Sequence, residues 1–539
     1  MMRMSNLGPP AMKRRLRSKF PVETLKSIQL WLTVASLTLA PLFFGSVDEI
    51  WVAIWAILLS ISTLIGTTET LSATQRRVLF AFIAVASAYA LVAIVQVAPH
   101  LIEDLDDPIW KRANELLGVN ALPRISSRAE IPPDAIGRFL LLVTSFVSGF
   151  LVATSRRNGD LLIRFARYSI LVYAIYGMAA LVLTPDLLLW APKLAYRGSL
   201  TATFVNHNTA ATLLGVGTIL WSCLTYQSLQ SLRYSTLRLL LLVPSNERVV
   251  FRVILHSAAA LACFVALLLT GSRGGLICTA LGLLVAIALM VANRLKLRLW
   301  YVAASGAVAL ALTAGWLSQT GRIGSEGLLD EARWSVYEYC LAAIRQRPLL
   351  GAGAGTFADL FPSLRASGFN GWGVWDYAHS TILEIAVEMG VPIAAMVVVA
   401  ATASVFTLVR AALQPKHEGG SSLAAIAGIA VLSYLHSTVD FSLQIPGFLI
   451  PFAVLLGYGL ARAASDPTSP RRVRPHEFIA VGTARMPEPL KSAPHREAAG
   501  PMARTRGRSL SWRRRVVAIE RRNEVSDGPA NRLLRAWVP

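Results

Sequence analysis

The chain has 539 residues, of which 54% are hydrophobic and only 15% are charged. Soluble domains carry about 25% charged residues, so this balance argues against a soluble globular protein. A net charge of +21 would suggest nucleic acid in a soluble chain. Here the basic residues lie between long apolar blocks and in the tail, so the anionic cytoplasmic leaflet is the simpler partner and no nucleic acid is needed.

Residues 1–27 form a basic arm. No small-residue cleavage site accompanies the apolar stretch Leu30–Gly45, so the start reads as a cytoplasmic arm and a first anchor rather than a signal peptide. A run of about 20 apolar residues crosses the hydrocarbon core. Candidate spans fall near 28–45, 49–66, 78–97, 137–153, 168–184, 207–226, 253–270, 275–292, 299–316, 381–409, 423–439 and 443–461. They predict an all-α, polytopic integral membrane protein of about twelve transmembrane helices. The segment 381–409 is too long for one simple span, so Thr381–Met389 is expected to form a separate half-buried helix before Gly390 and Pro392.

Charge bias sets the sidedness. Alternate loops carry Arg76 and Arg77; Arg156, Arg157, Arg164 and Arg167; Arg233, Arg238, Arg248 and Arg252; Arg294, Lys296 and Arg298; then Arg410 and Lys416. Twelve spans with both termini inside put every basic loop in the cytoplasm. Two long loops then face outwards, near 98–136 and 317–379. The second holds Trp334, Tyr337, Phe357, Phe361, Trp372 and Trp375, and Asp330–Ile344 has helical apolar spacing. A folded lid over the membrane face is expected. The tail, 462–539, is rich in Arg, Pro and Ser and reads as disordered; its Trp512–Arg515 cluster suits anionic membrane lipid, and a merely solvated tail fits it equally well. Cys223, Cys263, Cys278 and Cys340 show no CxxC spacing, so neither a disulfide framework nor a zinc site is inferred.

Several clusters can carry chemistry. Gly271-Ser272-Arg273-Gly274-Gly275 opens a helix on the outer side, where Ser272 can cap it and free N–H groups beside a guanidinium make an anion site. The alternative is an arginine snorkelling to the headgroups; its place against the positive-inside bias favours function. Arg333 opens the helical stretch of the large loop. Arg345, Arg347 and Pro348 follow, then the run Gly351–Phe357, which lacks the lysine of a P-loop and reads as a tight packed turn.

His379 stands at the edge of the next helix; an unperturbed imidazole, with a pKa of about 6.5, is usable as a base, although a lone His is more often structural. Glu384 and Glu388 follow one turn apart; they orient the His, cap the lid or face water. Arg197, in Tyr196-Arg197-Gly198-Ser199, is a third outer-face cation, ahead of Thr203-Phe204-Val205-Asn206-His207-Asn208, whose Asn206 and Asn208 suit helix caps. His436 and Asp440, four residues apart, share a helix face and hold the bundle together or react. The acidic run Glu103–Asp107 can hold a divalent cation, but a solvated loop is the simpler reading.

Three blocks in order, Thr203–Asn208, Thr270–Gly275 and the loop from Arg333 through Arg347-Pro348-Leu349-Leu350-Gly351 to His379, resemble the O-antigen ligase superfamily. Its members include lipopolysaccharide ligases, O-antigen and exopolysaccharide polymerases and protein O-oligosaccharyltransferases. The likeness spans about residues 28–461 and leaves arm and tail outside. It implies a GT-C-like glycosyltransferase at the outer face of the bacterial inner membrane. The donor would be a glycan on undecaprenyl diphosphate, and the acceptor a hydroxyl of lipid A-core or of another polysaccharide. Carried over by position, Arg273 and Arg333 hold the diphosphate, His379 activates or positions the acceptor, and Arg197 is a further phosphate contact. No metal or other cofactor is implied. The segment His436–Phe441 with Gln444, Ile445 and Pro446 resembles a broad branch of the superfamily rather than the best-studied lipid A-core ligases, which leaves ligase and polymerase both open. A transporter of lipid-linked glycan is the non-enzyme alternative, but the polar residues gather at the outer face rather than the midplane.

Overall fold

The computed structural model describes residues 11–66, 71–231, 247–295, 331–365, 375–414 and 420–465. The predicted span 299–316, the start of the large loop with Trp372, and nearly all of the tail lie outside these residues.

The described chain is helical apart from one two-stranded hairpin, β1 (Leu187–Leu188) against β2 (Ala191–Pro192). The α-helices are α1 (Ala11–Leu39), α2 (Glu49–Leu64), α3 (Ala73–Val97), α4 (Pro108–Leu117), α5 (Pro133–Ala153), α6 (Arg156–Leu183), α7 (His207–Gln230), α8 (Glu247–Leu269), α9 (Arg273–Leu295), α10 (Glu331–Gln346), α11 (Phe357–Leu364), α12 (Thr381–Ala412), α13 (Gly420–His436) and α14 (Pro446–Ala463). Eight of them, α3, α5 to α9, α12 and α14, are long and apolar enough to cross a membrane. The shorter apolar helices α2 and α13 fall on two more predicted spans. The first predicted span falls on α1, which ends at Leu39, ahead of Pro41.

Small residues let the central helices approach closely, which is how helices associate where lipid removes the hydrophobic driving force. A Cβ on Gly457 of α14 would strike the Phe146 carbonyl of α5, and one on Gly149 would strike the Val454 carbonyl. Gly282 of α9 and Gly428 of α13 face each other in the same way. As a result α13 and α14 are buried along almost their whole length.

The expected break near residue 390 is present. Gly390 takes φ 80° and ψ 166°, which is not helical, so α12 is two helices that meet at a kink. The carbonyls released by the break are used by the Gly run of the large loop. Ala352 N–H donates to Val387 O (2.9 Å), Gly353 N–H to Glu388 O (3.0 Å), and Val391 N–H to Pro348 O (2.8 Å). Gln96 of α3 seals the joint: its amide nitrogen donates to Glu388 O (2.7 Å) and Leu350 O, and its amide oxygen accepts from Ala354 N–H (3.0 Å). The tight-turn reading of Gly351–Gly355 therefore holds, with positive φ at Gly351, Gly353 and Gly355.

The acidic run is divided: Glu103 and Asp104 are exposed, whereas Asp106 and Asp107 have partners. Asp107 caps α4 through Ile109 N–H (2.9 Å) and pairs with Arg347 of the large loop, while Asp106 meets His100 at 3.4 Å. The Arg347–Asp107 pair joins the two long loops, so the solvated-loop reading holds for Glu103 and Asp104 and is corrected to a structural tie at Asp107.

Candidate active site

His379 lies in the short segment before α12, in the left-handed region at φ 53°. Its backbone is held from both sides. The preceding amide, Ala378 N–H, donates to Glu384 Oε2 at 2.7 Å, and its own carbonyl accepts the Tyr337 hydroxyl of α10 at 3.0 Å. The imidazole stands edge-on to Trp375 and Phe441, with ring centroids 5.0 and 4.8 Å away. Tyr377 stacks on the other part of this wall, 4.5 Å from Phe441, and its hydroxyl accepts from the Arg138 guanidinium at 3.3 Å. Burial raises the Tyr377 and Tyr337 pKa values above the usual tyrosine value, so both hydroxyls stay protonated.

Glu384 and Glu388 are both buried, so neither faces water. They divide the loop between them. Glu384 takes Ala378 N–H beside His379, and Glu388 takes Phe357 N–H at 3.0 Å at the start of α11.

Arg333 reaches the same place from α10. Its guanidinium donates to Val439 O at 3.1 Å, in the turn after α13. That turn corrects one expectation: α13 ends at His436, so His436 and Asp440 do not share a helix face. The chain turns through Ser437–Val439 and Asp440 becomes an acceptor. Its Oδ2 takes both the N–H (2.9 Å) and the hydroxyl of Ser442, and its Oδ1 takes the Asn208 amide at 3.1 Å. The start of α12 rests on this turn too. Thr381 N–H donates to Ser437 O (2.9 Å) and its hydroxyl to Asp440 O (3.3 Å).

Asn208 links the turn to the remaining blocks. Its side-chain oxygen accepts the Ser272 hydroxyl at 2.7 Å, and Ser272 Oγ in turn accepts Gly275 N–H at 3.1 Å, capping α9 as expected. Asn206 caps α7 through Asn208 N–H at 2.8 Å. His207 Nδ1 lies 2.8 Å from Thr270 O. His436 is buried, with its Nδ1 2.7 Å from the Thr212 hydroxyl, and a Cβ on Gly274 would stand 3.1 Å from its ring. Arg273, half-buried, opens α9 at this seam.

The predicted blocks Thr203–Asn208, Thr270–Gly275, Arg333, His379 and His436–Phe441 therefore meet at one end of the bundle. Arg197 does not join them through its side chain. It is exposed and donates to Lys193 O (3.3 Å) within its own loop. Its neighbour Tyr196 is the residue that reaches in, stacked on His207 at 4.1 Å and within electrostatic range of Asp440 and Arg333. Sequence reasoning passed over Arg138. It pairs with Asp134 at 3.0 Å one turn away and braces Tyr377. An arginine at the outward end of a predicted span was the available signal.

Such an arrangement defines a polytopic membrane protein with arginines, an aromatic wall and a histidine gathered where helix ends meet. Residues 258–398 match the family model described as O-antigen ligase, and the chain carries an O-antigen ligase family domain over that stretch. The matched stretch contains Arg273, Arg333 and His379. No curated protein matches the chain.

Proposed function

We propose that this protein transfers a glycan from undecaprenyl diphosphate to an acceptor hydroxyl at the outer face of the bacterial inner membrane. About twelve spans would put both termini in the cytoplasm. The reading rests on one observation above all: Arg333 and the segment carrying His379 both dock on the Ser437–Phe441 turn. A cation for the leaving group and a base for the acceptor are thus held by the same short stretch.

In this reading Arg273 and Arg333 bind the diphosphate, and Arg197, its side chain turned to its own loop, lies outside the pair. Negative charge grows on the diphosphate as the anomeric bond breaks. Fixed guanidinium groups stabilise that charge more in the transition state than in the bound substrate. His379 takes the proton from the acceptor hydroxyl as it attacks the anomeric carbon. With guanidinium groups carrying the electrostatic work, the transfer proceeds without a metal ion.

The acceptor we favour is lipid A-core, which makes the protein an O-antigen ligase. Gene deletion tests this. Lipid A-core without O-antigen, with full-length chains left on undecaprenyl diphosphate, is the expected result. Single-repeat caps, or loss of secreted polymer with unchanged lipopolysaccharide, would instead mark a polymerase of the same superfamily. Unchanged glycans on both would overturn the reading.

A further inference from the structure

We infer that Glu384 is the positioning residue for His379 and acts together with the Tyr337 hydroxyl. The inference rests on the proposed role of His379 and deepens it. A non-glycine residue at positive φ is disfavoured unless its surroundings hold it there. His379 sits at φ 53°, and the backbone is clamped on both sides of it, at the peptide that follows it and at the one that ends in Ala378. Ahead of it, the Tyr377–Ala378 peptide is fixed through Ala378 N–H by Glu384 Oε2 at 2.7 Å. The carbonyl on its C-terminal side is fixed by Tyr337 Oη at 3.0 Å.

The two clamps come from different elements. Glu384 lies in the first turn of α12, itself seated on the Ser437–Phe441 turn through Thr381. Tyr337 lies one turn along α10 from Arg333, which is seated on Val439. The orientation of His379 is therefore tied to the same turn that receives Arg333. With the backbone fixed, the imidazole is confined between Trp375 and Phe441 and has little freedom left to lose when an acceptor binds. Glu384 is buried and five residues from His379 in sequence, so it serves as a peptide anchor and touches no reacting atom. Its required property is an acceptor oxygen at that point, not a charge.

The test uses the full-length protein in nanodiscs. The donor is undecaprenyl diphosphate-linked glycan extracted from a strain lacking the gene, and membranes of that strain supply the acceptor. Glu384→Ala is expected to lower kcat by about 100-fold, the scale of a small misplacement of a reacting group, and to leave the donor KM unchanged. Glu384→Gln keeps an acceptor oxygen and is expected to retain most of the rate. Tyr337→Phe is expected to lower kcat in the same direction without touching donor KM.

A wild-type kcat in Glu384→Ala would overturn the inference, as would a loss that Gln does not rescue. Should Glu384→Ala fail to insert, Tyr337→Phe decides, and its full activity would overturn the clamp. His379→Ala separates the two levels. An active His379→Ala protein removes the catalytic reading itself, whereas an inactive one beside a fully active Glu384→Ala removes only the positioning role.

Discussion

Asn208 donates its side-chain amide to the buried carboxylate of Asp440 across 3.1 Å, joining two positions that lie 232 residues apart in the chain. The same asparagine accepts from Ser272 beside Arg273, while the backbone around Asp440 receives Arg333 and Thr381. Removing the carboxylate would strand two buried donors, the Asn208 amide and the N–H of Ser442, and leave the Ser442 hydroxyl only Thr209 Oγ1 at 3.4 Å. An unsatisfied buried group costs about 1–3 kcal/mol. Asp440→Ala should therefore lower the thermal midpoint in detergent and the transfer rate together. A variant with wild-type stability and rate would show that the turn is held by other contacts.

Arg273, Arg333 and His379 should behave as a set. Loss of a guanidinium that stabilises the leaving diphosphate is expected to cost about 100–1000-fold in rate, and loss of the base about 100–10,000-fold. Each alanine variant should still insert, as judged by yield and size-exclusion profile in detergent. Arg197→Ala, with its side chain turned to its own loop, should show the mildest defect. Activity is expected to survive EDTA; loss reversed by magnesium or manganese would return the acidic loop to consideration.

Local features of this protein were legible in the sequence, and long-range ones were not. The Ser272 cap, the helical stretch from 331, the tight glycine turn and the break at Gly390 each follow from a short pattern, because caps, periodicity and glycine placement act within a few residues. The resemblance located Arg273, Arg333 and His379, and the structure brings their segments together. It could not reveal that Asp440 ends up beyond the helix as an acceptor for Asn208, since such a contact leaves no periodic trace. Glu384 was read as orienting, capping or solvated, and only its 2.7 Å bond to Ala378 separates these. Arg197 was chosen for its charge, yet its neighbour Tyr196 makes the inward contact.

The pH dependence of stability should show an alkaline limb from Tyr337 and Tyr377. Burial is the largest cause of the raised pKa of each. A raised folded-state pKa means the folded protein holds the proton more tightly than the unfolded chain. The stabilisation is fully present below about pH 10, the ordinary tyrosine value, and is lost as pH rises through the raised one. The thermal midpoint should accordingly fall above about pH 10, and the double variant Tyr337→Phe/Tyr377→Phe should fall less steeply there. Identical limbs in both proteins would assign the loss to other groups.

The joint between the glycine turn and the broken helix is expected to be the least substitutable part of the loop. Gly351 and Gly390 both have positive φ, at 68° and 80°. A Cβ on Gly351 would meet the Glu388 carbonyl, and one on Gly390 would meet the Leu349 carbonyl. These neighbours are backbone and are fixed by reciprocal hydrogen bonds, so neither can move aside cheaply. Gly118, which ends α4, shares the positive φ of 62° but has open space around it. Gly118→Ala should thus cost only the conformational penalty, about 1–2 kcal/mol. Gly351→Ala and Gly390→Ala should cost more and also displace Glu388 and Phe357. Thermal unfolding of the three variants side by side checks this, and equal losses would mean that the collision at the joint is relieved by a backbone shift.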